Sequence, residues 1–258
     1  MLQQYRFFLK DSIRLSIDFS TTDQNRGLPA PPIEKPAPSD ARRVGLAQPG
    51  SWKGISPVSV EAAIGNRKSR RVYSMDPLSL DELSFLLWST QGVRGPVTDR
   101  HAYRTVPSAG CRHAFETYVA AFRVNGLEKG IYRYLPLSHE LVEVSSPEWL
   151  ETLVIEAALN QPFAGKSAAT FVWTAIPVRM EWRYGLAAHK VTALDAGHVC
   201  QNLYLACEAI GSGTCAVAAY NQEALDRLLG VDGEEEFAIY LAPVGKRSTG
   251  GQASSEDR

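Results

Sequence analysis

The chain has 258 residues, 27 basic against 28 acidic side chains for a formal net charge of −1, and 45% hydrophobic composition. It is long enough to bury a sizeable core, and its balanced charge excludes a global field for gathering nucleic acid or anionic lipid, so any anion site must be local. No apolar run approaches the ~18 residues that span a bilayer, and the opening MLQQYRFFLKDS lacks the apolar core and cleavage site of a secretory signal.

Residues 20–57 contain GLPAPPIEKPAPSD and AQPGSWKGISP, dense in proline and glycine, so residues 1–57 read as an arm over the domain or a disordered leader, with little regular structure. From residue 58 the signals alternate. SLDELSFLLWSTQG has Ser79 and Glu82 at capping-box spacing, Leu83, Leu86 and Leu87 on one face and a stop at Gly92, which predicts a helix. TYVAAFRV alternates at period two and meets the Asn125-Gly126 turn, and GIYRYLP and HELVEV continue as extended segments, predicting an antiparallel meander.

SSPEWLETLVIEAAL predicts a helix with a serine cap and Pro147 in its first turn. AATFVWTA reads as a buried strand. ALDAGHVCQNLYLACEAIG carries Ala196, Val199, Leu203, Ala206 and Ile210 on one stripe among small residues, the composition of a helix in a core or a subunit interface. Asn221 caps a shorter helix, EALDRLL, and EFAIYLAPVG is a final strand. The fold class is therefore α+β with a central, mostly antiparallel sheet flanked by helices. One domain covers 58–248, and a polar tail covers 249–258. Four cysteines without a CxxC pair suit a reduced, cytoplasmic location, and five scattered histidines give no metal site.

Chemistry concentrates in four stretches. RKSRR, residues 67–71, sets four cations in five positions. Arg67 and Arg71 supply planar forks, Lys68 a point charge and Ser69 a hydroxyl, a set that holds a phosphate monoester, although a solvated helix end has the same composition. RTVPSAG at 104–110 is a turn whose small residues let a flat ligand approach backbone. GSGTCAVAAY at 211–220 offers amides unshielded by side chains, and PVGKR ends the last strand with two more cations. Singly, each also reads as a turn, a helix cap or a solvated strand end.

Together and in this order, from about residue 58 to 246, the four blocks resemble the FMN-dependent nitroreductase superfamily, and within it the SagB-type dehydrogenases related to thiazoline and oxazoline oxidases. The resemblance implies a homodimer with a shared flavin site. Arg67, Lys68, Ser69 and Arg71 would bind the FMN phosphate and ribityl chain, joined by Lys246 or Arg247. Pro107, Ser108, Ala109 and Gly110 would form the turn along the flavin, contributed across the dimer interface. Ala218 and Ala219 would face the ring and its N5, and Lys68 is the candidate donor to its N1 side.

The Lys-Tyr pair assigned to proton abstraction in azoline oxidases falls on Arg183-Tyr184 here. Arginine stays protonated and is a poor general base. The leading expectation is hydride transfer between NAD(P)H and a small aromatic, nitro or quinone-type acceptor. The alternatives are dehydrogenation of an azoline-like heterocycle in a peptide or metabolite, a flavin-binding module without turnover, or a globular protein whose basic run faces solvent. Small-molecule substrates are expected, with neither nucleic acid nor membrane as partner.

Overall fold

The computed structural model describes residues 2–98 and 100–248, so the polar tail expected over 249–258 lies outside the described residues. Helix α1 (Leu2–Leu9) opens the chain. The proline-rich stretch that follows holds a strand, β1 (Arg43–Gly45), where no regular structure is expected from sequence. An edge strand needs only backbone donors and acceptors and no apolar alternation, and β1 pairs antiparallel with β8 (Glu140–Ser145) through Arg43↔Val142 and Gly45↔Glu140.

Then come α2 (Val60–Asn66), β2 (Leu78–Ser79) and α3 (Leu80–Gln91), followed by a hairpin of β3 (Val93–Val97) and β4 (Ala102–Arg104). Helix α3 starts with the expected capping box: Glu82 N donates to Ser79 Oγ at 3.1 Å and Ser79 N to Glu82 Oε2 at 2.8 Å. Leu83, Leu86 and Leu87 are fully buried. Each contributes about 1.5–3 kcal/mol over leaving it in water.

The meander is β5 (Phe115–Ala121), β7 (Gly130–Leu135) and β8, and the short β6 (Val124–Asn125) between β5 and β7 pairs parallel with β2 in a separate two-stranded sheet. Helix α4 (Leu150–Ala157) begins three residues later than the Ser-Pro signal suggests and has no side-chain cap. Strand β8 runs through Ser145, so Pro147 falls in the crossover rather than in the first helical turn. The rest of the chain is α5 (Phe163–Lys166), β9 (Ala169–Ala175), α6 (Val178–Tyr184), α7 (Ala188–Ala209), β10 (Ser212–Thr214), α8 (Gln222–Leu229) and β11 (Phe237–Lys246). Helix α7 starts earlier than the small-residue stripe indicates and runs for 22 residues.

Seven strands form one sheet in the order β1-β8-β7-β5-β9-β11-β10, with every neighbouring pair antiparallel. Period-two alternation separates its faces. Phe115, Val119 and Ala121 of β5 pack in the cluster that holds Leu83 of α3 and Leu203 of α7, while Tyr118 and Ala120 pack with Leu150 of α4 and Leu225 of α8.

Residues 33–36 of the arm are bolted to this sheet by buried charge. Glu116, 2% exposed, accepts from Arg179 at 2.6 Å, Arg133 at 3.1 Å and the Lys35 amide at 2.8 Å. Arg133 donates to the carbonyls of Lys35 and Pro36, Arg104 donates to that of Ile33 at 2.7 Å, and the Lys35 ammonium pairs with Glu236. Burial works against ionisation of Glu116, but the Arg179 and Arg133 charges outweigh it and hold its pKa below the usual carboxylate value.

Candidate active site

Helix α7 anchors two groups of candidate residues, one at Tyr204 and one at Asp195, nine positions apart or roughly 13 Å along the axis. At the Tyr204 level the basic run meets the small-residue strand. Ser69 forms a parallel bridge with Thr214, the Arg70 amide donates to the Thr214 carbonyl at 2.9 Å, and Ser69 Oγ lies 2.9 Å from the Tyr204 hydroxyl. That hydroxyl also accepts from the Ala216 amide at 2.8 Å, and the Arg67 guanidinium sits 5.3 Å over the Tyr204 ring. One phenol thus joins RKSRR to GSGTCAVAAY.

The strand is close-packed at this point. A Cβ on Gly213 would come within 2.4 Å of the Arg70 side chain, so a larger residue would push the basic run away. Arg70 Nε, Ser212 Oγ and Thr214 Oγ1 are buried without hydrogen-bond partners. Lys68 and Arg71 are exposed, and Arg71 lies 5.7 Å over the Phe163 ring. Arg67, Lys68 and Arg71 form no ion pair with a described carboxylate.

The other two cations of the expected phosphate group are already partnered. Lys246 pairs with Glu82, the capping-box residue of α3, and donates to the Ile210 carbonyl at 2.8 Å. Arg247 pairs with Glu208 at 2.8 Å and donates to the Ser212 carbonyl. Ala218 and Ala219 are exposed just beyond Val217, whose amide is fixed to Leu241 O at 2.8 Å.

At the Asp195 level stands the turn Pro107–Gly110. The Ala109 amide donates to both Asp195 oxygens at 3.1 and 3.3 Å, the Ser108 side chain bonds the same carboxylate, and the His113 amide donates to Ser108 Oγ at 2.9 Å. Burial raises the Asp195 pKa, partly offset by these bonds. Gly110 takes φ +58°, and a Cβ there would fall 2.6 Å from the Tyr184 hydroxyl and 2.7 Å from Arg183 Nε. The turn therefore touches the Arg183-Tyr184 pair through the one residue type that fits.

Cys111 and His113 continue in the left-handed region at φ 56° and 47°, which costs non-glycine residues about 1–3 kcal/mol each. His113 is buried, and desolvation first, then the charges of Arg104, Arg112 and Arg179, push its pKa down to about 3. It is a neutral imidazole at physiological pH. His198 is exposed, 3.8 Å from Asp195, and His189 pairs with Glu181.

Tyr204 and Asp195 were not among the candidates from sequence. A signal existed for each: a carboxylate and a phenol inside an otherwise small, apolar helix stripe. The residues around Tyr204 fit FMN, because unpaired cations suit a dianionic tail and exposed Ala218 and Ala219 leave room for a flat ring.

A profile of the nitroreductase family matches residues 64–246. The chain belongs to the nitroreductase family. Nitroreductase MJ1384 of Methanocaldococcus jannaschii, so named, is 33% identical over 193 residues, which is 75% of this chain and 93% of that protein. The trifolitoxin-processing protein TfxB of Rhizobium leguminosarum is 26% identical over 189 residues, covering 70% of this chain but only half of TfxB. Among solved structures, a nitroreductase from Ralstonia eutropha superposes with a TM-score of 0.67 at 25% identity, over 86% of this chain and 96% of that one. As a nitroreductase-family oxidoreductase this chain is an enzyme, and its fold is the nitroreductase fold. Among the described residues no helix is long and apolar enough to cross a membrane.

Proposed function

We propose that the protein is a homodimeric, FMN-dependent oxidoreductase that moves hydride between NAD(P)H and a small aromatic, nitro or quinone-type acceptor. The observation that carries this reading is the Tyr204 junction, which joins a run of unpaired cations to a buried stretch of small residues that opens at the exposed Ala218 and Ala219. Arg67, Arg71 and Ser69 would hold the FMN phosphate, and Lys68 would donate toward the N1 side of the ring. Bound there, FMN would supply the hydride acceptor and donor chemistry.

The chain's own contribution is positional and electrostatic. Arg67 is steadied on the Tyr204 ring, so it loses less freedom when it grips an anion than a loose side chain would. The turn Pro107–Gly110 lies about 13 Å along α7 from that junction, and this separation supports a site completed by the turn of a second subunit. The stripe Leu194, Gly197 and Gln201 of α7 is exposed in the single chain and suits such a contact.

A second reading, dehydrogenation of an azoline-like ring in a peptide, is supported by the contact of Arg183 and Tyr184 with Gly110 and by the similarity to a toxin-processing protein. In it Tyr184 would donate or orient, and Arg183 would hold charge rather than take a proton. The test is an anaerobic absorption spectrum of the FMN-loaded protein. The first reading expects the flavin bands to bleach with NADH or NADPH. Bands that persist with millimolar reductant but bleach with an azoline peptide would transfer the assignment to the second.

A further inference from the structure

A cavity of about 630 Å³ lies between residues 24–30 of the arm and the elements that carry Gly110, Arg112, Trp182 and Arg183. That is the size of a small-molecule site. Its described lining contains arginines and a histidine but no carboxylate, while Leu28, Pro29 and Trp182 give it an apolar wall. The Arg112 and Arg183 charges, set side by side in a partly enclosed space, favour an anion nearby.

The guanidiniums are set rigidly. Arg112 is 4% exposed and stacked 4.7 Å over the Trp182 ring. Its Nε donates to the Arg179 carbonyl at 3.0 Å and its Nη1 to the Arg100 carbonyl at 2.6 Å, whereas its Nη2 is buried without a partner. Arg183 stacks 5.6 Å from the centre of the Tyr184 ring, and its Nη1 reaches only the neutral Gln24 Oε1, at 3.3 Å. Burial lowers the Arg112 pKa, and the Arg183 charge lowers it further, so the two guanidiniums repel each other. The nearby carboxylates among the described residues are committed elsewhere: Glu116 to Arg133 and Arg179, Glu181 to His189, and Asp195 to the Ser108–Ala109 turn.

We propose that this cavity binds the oxyanion end of a small aromatic ligand, an aryl carboxylate or aryl phosphate, with Arg183 as the anion grip, the buried Arg112 adding its charge from behind, and Trp182 as the apolar wall. Gly110 is shared between the cavity and the turn that would lie along the flavin. The ligand is therefore the acceptor substrate, a step that rests on the proposed oxidoreductase reading. The arm, held on the sheet by Glu116 and Arg133, supplies the outer wall and makes the site specific to chains that carry such an arm.

The experiment is calorimetric titration of the full-length protein with benzoate, phenyl phosphate and neutral benzamide, with FMN content measured on the same sample. Benzoate or phenyl phosphate should bind at least tenfold more tightly than benzamide, and whichever binds better identifies the source of the oxyanion. Arg183→Gln should abolish the preference. Gln24→Glu, on the arm and outside the core, should weaken the anion about tenfold by occupying Arg183, with circular dichroism confirming that both variants fold. Equal affinity for the acid and the amide, or a preference that survives Arg183→Gln, would overturn the site. Anion preference in protein that takes up no FMN would keep the site and remove the redox reading, whereas FMN uptake without anion preference would do the reverse.

Discussion

Two groups of arginines in this molecule look alike in sequence and have opposite surroundings. Arg133 and Arg179 are buried, share Glu116 and, in the case of Arg133, also donate to arm carbonyls. Arg67 and Arg71 face outward on aromatic rings with no carboxylate partner among the described residues. The difference lies in what remains to be satisfied. A guanidinium whose donors are all taken by protein has a structural task, and one held in place with donors to spare is available to a ligand.

The strongest way to break that contrast is to remove the shared carboxylate. Glu116→Gln leaves two buried guanidiniums without a counter-charge, and urea unfolding should show a loss of about 3–5 kcal/mol. A loss below about 1 kcal/mol would mean that the arm and its charges are marginal to the fold. The matching change in the other group is Arg67→Ala or Arg71→Ala. Each should weaken FMN binding by about 1.5–3 kcal/mol, roughly tenfold to a hundredfold by fluorescence titration, while unfolding is nearly unaffected. Unchanged FMN affinity with lowered stability would invert the comparison.

His113 sharpens the first group, since it sits beside Arg104, Arg112 and Arg179. Its folded pKa of about 3 lies below the ordinary 6.5, so the unfolded chain binds more protons between those values. Stability from this residue is complete above about pH 6.5 and is lost as pH falls toward 3, about 2 kcal/mol between pH 6 and pH 4. The urea midpoint followed across that range should show the slope, and His113→Gln should flatten it.

What could be read from sequence was whatever depends on neighbours along the chain. The capping box at Ser79 and Glu82, the alternation in β5 and the Asn221 cap are all local and all present. Long-range pairings were not legible. Strand β1 exists because β8 offers it an edge, and its own residues carry no apolar rhythm. The start of α4 was misplaced because strand pairing through Ser145 overrides a Ser-Pro start signal. In the site, RKSRR was visible as charge, but its junction with Tyr204, 135 positions away from Ser69, was not. Nor did charge alone distinguish the cations that are free from Lys246 and Arg247, which only the fold reveals as spoken for by Glu82 and Glu208.

The position of β11 between β9 and β10 bears on how the chain is made. Residues 237–246 emerge from the ribosome after every other strand of the sheet, yet they fill an interior place. Until then β9 presents a bare hydrogen-bonding edge rich in Phe171, Val172 and Trp173, and β10 has no sheet to join. A nascent chain stalled before residue 237 would therefore be a natural client for chaperones, and the last strand closes the sheet and brings the small-residue segment home in one step.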